Sequence, residues 1–347
     1  MKHEITELGT MVELLSRDAR ERFYRVYAFE IRTGTLKIPA EMANWVNNRF
    51  GSVDRVENQR VVSLKNKFTG EHSLFNRLRI DRPVEAKSAF GLEDLKTKED
   101  CLFCNPETQT PSDVFGRVKG KYCITGSNIA KYDSLHSLII FKEHNPLVVK
   151  KEWIEDYLRT GERWFEEVTR AEKNELRKFF LWNCLWRSGA SIIHGHIQLT
   201  ASSSSMRYGK LEVVEKAVAD YKKEYNTDYF EDLYTIHKSL GLAKENEGEK
   251  ILFYLTPVKE KEIIVISKAR RSNEMAGTIY KLLRGYLGMG VQSFNLAIFT
   301  LHDYHIIRLV DRGPLENRTS DIGAMELYAA SVISSDPFKL TEVMCEI

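Results

Sequence analysis

The sequence predicts an α+β protein of two similar halves behind an N-terminal extension. A strand–strand–helix–strand–strand order is legible over 122–200 and repeats over 251–310, the mark of an internal duplication without sequence identity. The length, 347 residues, is long for one core and suits two packed units. One stretch stands apart: His194-Gly195-His196-Ile197-Gln198 places polar side chains on alternate positions of an apolar run. Changes of pattern divide the chain into an extension (1–58), a first half (59–208) and a second half (209–347).

In the extension, Leu8, Met11, Leu14 and Leu15 recur at helical spacing within 5–27. Thr33-Gly34 reads as a turn, and 39–50 as a short helix with Trp45 and Val46. No chemical motif occurs there. Strands follow at 60–64 and 73–76 around a turn at 68–71. A charged linker covers 93–100. Strands at 122–125 and 137–141 precede a long helix over 151–178, with Trp153, Tyr157, Trp164, Phe165 and Val168 on its buried side. Residues 179–185 read as a strand running into the polar motif. Ser202-Ser203-Ser204-Ser205 is a loop signal. Residues 209–240 are mostly helical. The second half has strands at 251–255, 262–266, 294–299 and 305–310 around a helix at 273–287.

Bulk properties exclude several classes. The formal net charge is +2, with 51 basic and 49 acidic residues, so there is no general basic field for nucleic acid or membrane. The first residues carry charges and lack a signal-peptide core, and no apolar run reaches membrane-spanning length. A cytoplasmic protein is expected. Five cysteines, an odd number, argue against a closed disulfide framework.

Three features carry chemistry. In a strand, His194, His196 and Gln198 share one face. The preceding Ser188-Gly189-Ala190-Ser191 is small enough for backbone to approach a bound group. Together they suggest an anion pocket with an imidazole pointing into it. Cys101-Leu102-Phe103-Cys104 is a Cys-x-x-Cys knuckle, which is redox-active or half of a zinc site. No thioredoxin-like context is visible. The zinc reading needs two further ligands, and His144 and His194 are the candidates. Arg77, Arg79 and Arg82 beside Pro83 read equally as a solvated loop or as guanidinium forks for phosphate.

These residues together resemble the galactose-1-phosphate uridylyltransferase family, a branch of the histidine-triad superfamily. The family's His-x-His-x-Gln is matched by residues 194–198, its preceding Asn by Asn183, and its Gly-x-Ser by Gly189-Ala190-Ser191. Its Cys-x-x-Cys and later His are matched by Cys101, Cys104 and His144. Its N-terminal signature is matched by Thr69-Gly70-Glu71 with Arg79 and Arg82-Pro83. The resemblance covers 60–205 well and 250–335 weakly. Two departures are plain. Gly195 stands where the family usually has Pro, and the second half retains only His302 and His305 of the histidines that, with a Glu matched by Glu212, form a second metal site in some members. That second site is expected to be absent or altered.

The resemblance implies two histidine-triad-like halves, each an antiparallel sheet with packed helices. It implies His196 as nucleophile and Gln198 and Ser191 on the phosphoryl oxygens. Asn183 and Gly189 support that pocket, Arg79 and Arg82 face nucleotide phosphates, and Ser127 and Asn128 contact the nucleoside. Cys101, Cys104, His144 and His194 hold a structural zinc. The expected activity exchanges UMP between a UDP-sugar and a hexose 1-phosphate through a nucleotidyl-histidine, in a homodimer. With phosphate as acceptor, the same chemistry makes a phosphorylase of ADP-glucose or a dinucleoside polyphosphate. A zinc-stabilised protein that binds nucleotides without turnover is the reading from another class.

Overall fold

The computed structural model describes residues 3–36, 38–78, 95, 101–172, 176–203, 208–268, 272–317 and 319–344. In chain order the strands are β1 (Tyr27–Thr35), β2 (Asn58–Asn66), β3 (His72–Phe75), β4 (Cys123–Ser127), β5 (Leu135–Phe141), β6 (Leu176–Cys184), β7 (His196–Ser203), β8 (Ala243–Asn246), β9 (Glu249–Phe253), β10 (Ile263–Ser267), β11 (Phe294–Leu301), β12 (Tyr304–Asp311) and β13 (Ser331–Ile333).

The duplication is written into the main sheet, whose order is β4-β5-β7-β6-β11-β12-β10-β9-β8. Outward from its centre, β6-β7-β5-β4 on one side mirrors β11-β12-β10-β9 on the other. Every pairing in this sheet is antiparallel, and each half inserts one helix after its second strand, Lys151–Ala171 or Ala276–Gly288. The halves join through β6 and β11, from Phe294 opposite Cys184 to Phe299 opposite Phe179.

Helix Lys151–Ala171 buries Ile154, Tyr157, Leu158, Trp164, Phe165 and Val168 along one side. Each such side chain contributes about 1.5–3 kcal/mol. Gly161 lets the helix approach the sheet, since a Cβ there would lie 3.3 Å from both Leu199 and Phe180. Trp153 is only half-buried, under the Lys150 ammonium at 4.4 Å. Because side chains alternate along a strand, His196, Gln198 and Thr200 point to the face opposite Ile197, Leu199 and Ala201.

A second sheet, β1-β2-β3-β13, joins the extension to strands from both halves. It is pinned to the main sheet by Glu71, in the turn after β2. Glu71 accepts from the Tyr254 hydroxyl at 2.6 Å and pairs with the buried Arg308 at 2.6 Å; Arg308 also pairs with Glu262.

Three local expectations change, and two strands are gained. Thr33-Gly34 is not a turn: β1 runs straight through it, with Gly34 opposite Gln59. The long helix ends at Ala171, seven residues before the expected 178. Residues 176–178 have helical propensity, but pairing of Leu176, Arg177 and Lys178 with Ser203, Ser202 and Ala201 overrides it. β8 and β13 have no alternating apolar pattern and are defined by their partners. Finally, β7 begins at His196, so His194 lies ahead of the strand and is not bound by its alternation.

Candidate active site and metal centre

Where β5 ends, the chain turns back so that Phe141 and His144 meet the start of β7. The Phe141 amide donates to Gly195 O and the Gly195 amide to His144 O, both at 3.0 Å. The space beside Gly195 is filled. A Cβ there would lie 2.3 Å from the Phe141 ring, which stacks on Tyr157 at 4.0 Å. This explains the departure at position 195: Phe141 occupies the volume a larger residue would need. Gly195→Ala is therefore expected to destabilise the protein by about 1–3 kcal/mol. If this contact is the cause, Gly195→Ala should cost much less when added to Phe141→Ala than when made in the wild type, as thermal denaturation of the two single variants and the double variant would reveal.

The turn brings two imidazoles to the Cys-x-x-Cys knuckle. His194 Nδ1 lies 3.5 Å from Cys101 Sγ, 3.6 Å from Cys104 Sγ and 3.1 Å from His144 Nδ1. His144 Nδ1 is 3.4 Å from Cys104 Sγ. All four ligand atoms lie within 4.8 Å of one another. Zinc bonds of about 2.3 Å to sulfur and 2.0–2.1 Å to nitrogen imply tetrahedral edges of roughly 3.3–3.8 Å, and the sulfur–nitrogen distances of 3.4, 3.5 and 3.6 Å make this donor set compatible with zinc. His194 Nε2–H donates to Phe141 O at 2.8 Å, which leaves Nδ1 as the ligating atom. Burial and the facing Cys101 push the Cys104 thiol up to about 11, so two thiolates become compatible there only with a cation between them. The four predicted ligands thus come together in one cluster able to hold a metal ion.

His196 sits at the next strand position and is buried. Its Nδ1–H donates to His194 O at 2.9 Å, which makes Nε2 the nitrogen with the free lone pair. Burial holds its pKa below the ordinary imidazole value, against the opposing effect of that hydrogen bond. Phe103, inside the knuckle, meets the His194 and His196 rings edge to face at 5.9 and 5.4 Å. The metal cluster and the candidate nucleophile therefore share one wall.

Gln198 is opposite Leu181 on β6. Asn183 lies two residues beyond Leu181 on β6, and so on the same face of the strand. Asn295, directly across on β11, donates to Asn183 Oδ1 at 2.7 Å and to Ser188 O at 2.9 Å. Asn295 Oδ1 in turn accepts from Arg312, which holds Asp321 with two bonds of 2.7 and 2.9 Å. The second half thus braces the pocket of the first. Ahead of that pocket, Leu185 has φ 63° and ψ 174°, a region that costs a non-glycine residue about 1–3 kcal/mol. Its carbonyl accepts from the Ser188 amide and hydroxyl and from the Ala190 amide, which forces the turn into the small loop. Gly189 is left-handed at φ 92°, and Ser191 stands exposed beyond it.

Ser127 and Asn128, at the end of β4, gather about a residue the sequence reading passed over. The Asn128 amide donates to His136 O at 3.3 Å, and Lys131 Nζ donates to both Ser127 Oγ and His136 O at 2.7 Å. His136 is wholly buried, and its Nε2 lies 2.9 Å from Gln198 Oε1. No local signal marked it or Asn295: His136 lies two positions before the residue opposite Gln198, on a strand that meets the motif only through sheet pairing. Arg79 and Arg82 lie outside the described residues. Glu212 and His302 line one cavity of about 400 Å³, with Arg177, Lys178, Tyr208 and Thr300, and His305, which is not in that lining, lies within hydrogen-bond distance of Thr300. Among the described residues, the Cys/His cluster is the one group placed to hold a metal.

Comparison with solved structures bears on the fold. The chain is similar to an ADP-glucose phosphorylase from Arabidopsis thaliana, with a TM-score of 0.63 and 15% identity over 82% of this chain and 98% of that one. A GalT-like protein from Arabidopsis thaliana gives 0.59 and 16% over 72% and 93%. A uridylyltransferase gives 0.53 and 13% over 82% and 97%. No protein-family model and no curated protein sequence matches the chain. At these identities the likeness establishes the fold, which is that of the galactose-1-phosphate uridylyltransferase-like proteins, as the sequence resemblance implied. No helix among the described residues is long and apolar enough to cross a membrane.

Proposed function

We propose that the protein is a nucleotidyltransferase working through a covalent nucleotidyl-His196. In the leading reading it exchanges UMP between a UDP-sugar and a hexose 1-phosphate. The observation that carries the proposal is the single available lone pair of a buried, neutral imidazole, with Nδ1–H anchored on His194 O. Nε2 attacks the α-phosphorus, the N–P bond forms, and the P–O bond to the departing sugar phosphate breaks with its electron pair. That leaving group is already a stable anion, so no strong general acid is needed. An oxygen of the second phosphate then attacks phosphorus, breaks the N–P bond and returns the lone pair to Nε2. Gln198 and Ser191 donate to the phosphoryl oxygens, Asn183 and Gly189 shape the pocket, and Ser127 and Asn128 meet the nucleoside.

Zinc on Cys101, Cys104, His144 and His194 supplies structure rather than chemistry in this reading: it holds the start of β7 against the knuckle. Two copies of the chain acting as a homodimer complete the proposal, which places the reaction in the cytoplasm. Inorganic phosphate in place of the hexose 1-phosphate makes the same residues a phosphorylase of ADP-glucose or a dinucleoside polyphosphate.

Intact-mass measurement after mixing with UDP-glucose or ADP-glucose tests the reading and identifies the base. A uridylyl or adenylyl mass increment supports it; no adduct and no turnover with either donor would leave a non-catalytic nucleotide-binding protein. The pH dependence has a definite sign. Because burial depresses the His196 pKa, its neutral form prevails above the ordinary imidazole value of about 6.5. The rate of adduct formation is expected to stay level down to about that pH and to fall only below it. An acid limb centred above pH 7 in the wild-type rate of adduct formation would contradict the assignment.

A further inference from the structure

The polarity of the hydrogen bonds around His136 runs one way, and it starts from a group that can only donate. The Tyr132 amide donates to His136 Nδ1 at 2.8 Å. Nδ1 is therefore an acceptor, and the proton of the neutral ring is on Nε2. The atom 2.9 Å from Nε2 must then accept, which identifies it as the Gln198 carbonyl oxygen and not its amine. Asn128 is set in the same way. Its Oδ1 accepts from the Ala130 amide at 2.9 Å, so its Nδ2, 3.3 Å from His136 Nε2, is a donor beside a donor and adds nothing to that contact.

We propose, on the nucleotidyl-transfer reading, that His136 is the positioning residue for Gln198: it takes up the amide oxygen and so presents the amine to the phosphoryl group on His196. Without this lock, the two ends of the amide are nearly equal in shape, and half of the orientations would aim an oxygen at an anionic phosphate. The lock is rigid. His136 is wholly buried, the Tyr132 ring stacks on the imidazole at 4.5 Å and 27°, and Lys131 holds its carbonyl. Desolvation keeps the ring neutral, which preserves the acceptor at Nδ1. The segment from Asn128 to His136 thereby joins the residues expected at the nucleoside to the residue expected at the phosphate. Binding of the base and orientation of the phosphoryl donor are one unit.

The test combines single-turnover nucleotidylation with the imidazole nitrogen shifts of His136 in the whole protein. The expected tautomer is Nε2–H, with Nδ1 hydrogen-bonded as acceptor. His136→Leu should slow adduct formation about 10- to 100-fold with donor affinity changed much less, while keeping its zinc. His136→Gln, whose amine can reach the position of Nε2, should restore most of that rate. A wild-type Nδ1–H tautomer would overturn the inference whatever the activity. So would a His136→Leu rate equal to wild type, or a loss in His136→Leu and His136→Gln alike that follows their thermal midpoints. Wild type that shows the expected tautomer but forms no adduct with UDP-glucose or ADP-glucose would instead refute the transfer reading on which this rests.

Discussion

His196→Ala is expected to abolish covalent capture of the nucleotide and to lower turnover by at least about a thousandfold. It should leave the metal content unchanged. Among the described residues its ring bonds the main-chain oxygen of His194, not the Nδ1 that faces the cluster, and its edge contact is to Phe103, which is not a ligand. The variant should therefore still fold and still bind nucleotide, since Gln198, Asn128 and the small loop remain. That combination of binding without an adduct is what separates a nucleophile from a structural histidine. The measurement is intact mass with each nucleotide sugar, paired with equilibrium binding of UMP and AMP. If His196→Ala kept its adduct, the nucleophile would be another residue. If it lost nucleotide binding and thermal stability together, the imidazole would be a packing element, and the reaction proposed above would have no chemical centre.

Cys101→Ser carries the second large effect. The cluster draws on three separated segments: the knuckle at 101–104, the turn carrying His144 after β5, and His194 ahead of β7. A cation there closes two long loops of chain and neutralises two thiolates at once. Wild type should hold about one zinc per chain. Cys101→Ser should lose it, with a fall in stability of at least about 3 kcal/mol and a thermal midpoint lower by roughly 5–10 °C. Cys123→Ser is the control. Cys123 is a buried thiol bonded to Thr160 and Asp156 and is not a member of the cluster, and its loss should leave zinc in place. Adduct formation in Cys101→Ser should fall as well, because Phe103 and the start of β7 lose their anchor. Metal-free wild type with undiminished stability would end the structural-zinc assignment.

How much was legible in the sequence varies by residue, for physical reasons. The knuckle and His144 and His194 were legible because a metal site needs thiolates and imidazoles, and a Cys-x-x-Cys spacing marks half of such a site. The duplicated order of strands and helices was legible because hydrophobic periodicity is a local property. The end of the long helix was not: residues 176–178 have helical propensity, and only pairing with β7 makes them a strand. The four-stranded sheet was also not legible, since β13 pairs with β3 across some 250 residues of chain.

The motif itself shows the division most clearly. Sequence alone determined that two imidazoles, an amide and a run of small residues would be brought together, because residue type and spacing are its content. It placed His194, His196 and Gln198 on one strand face, as alternation requires. The tertiary structure decided otherwise for His194: β7 begins one residue after Gly195, which frees that ring to turn to the knuckle. It also decided that His194 O would hold the His196 proton, that Phe141 would fill the space beside Gly195, and that His136 and Asn295 would brace Gln198 and Asn183. Each of these is a contact between residues distant in the chain. Their partners are chosen by register and packing, which depend on the whole fold, and no local pattern encodes them.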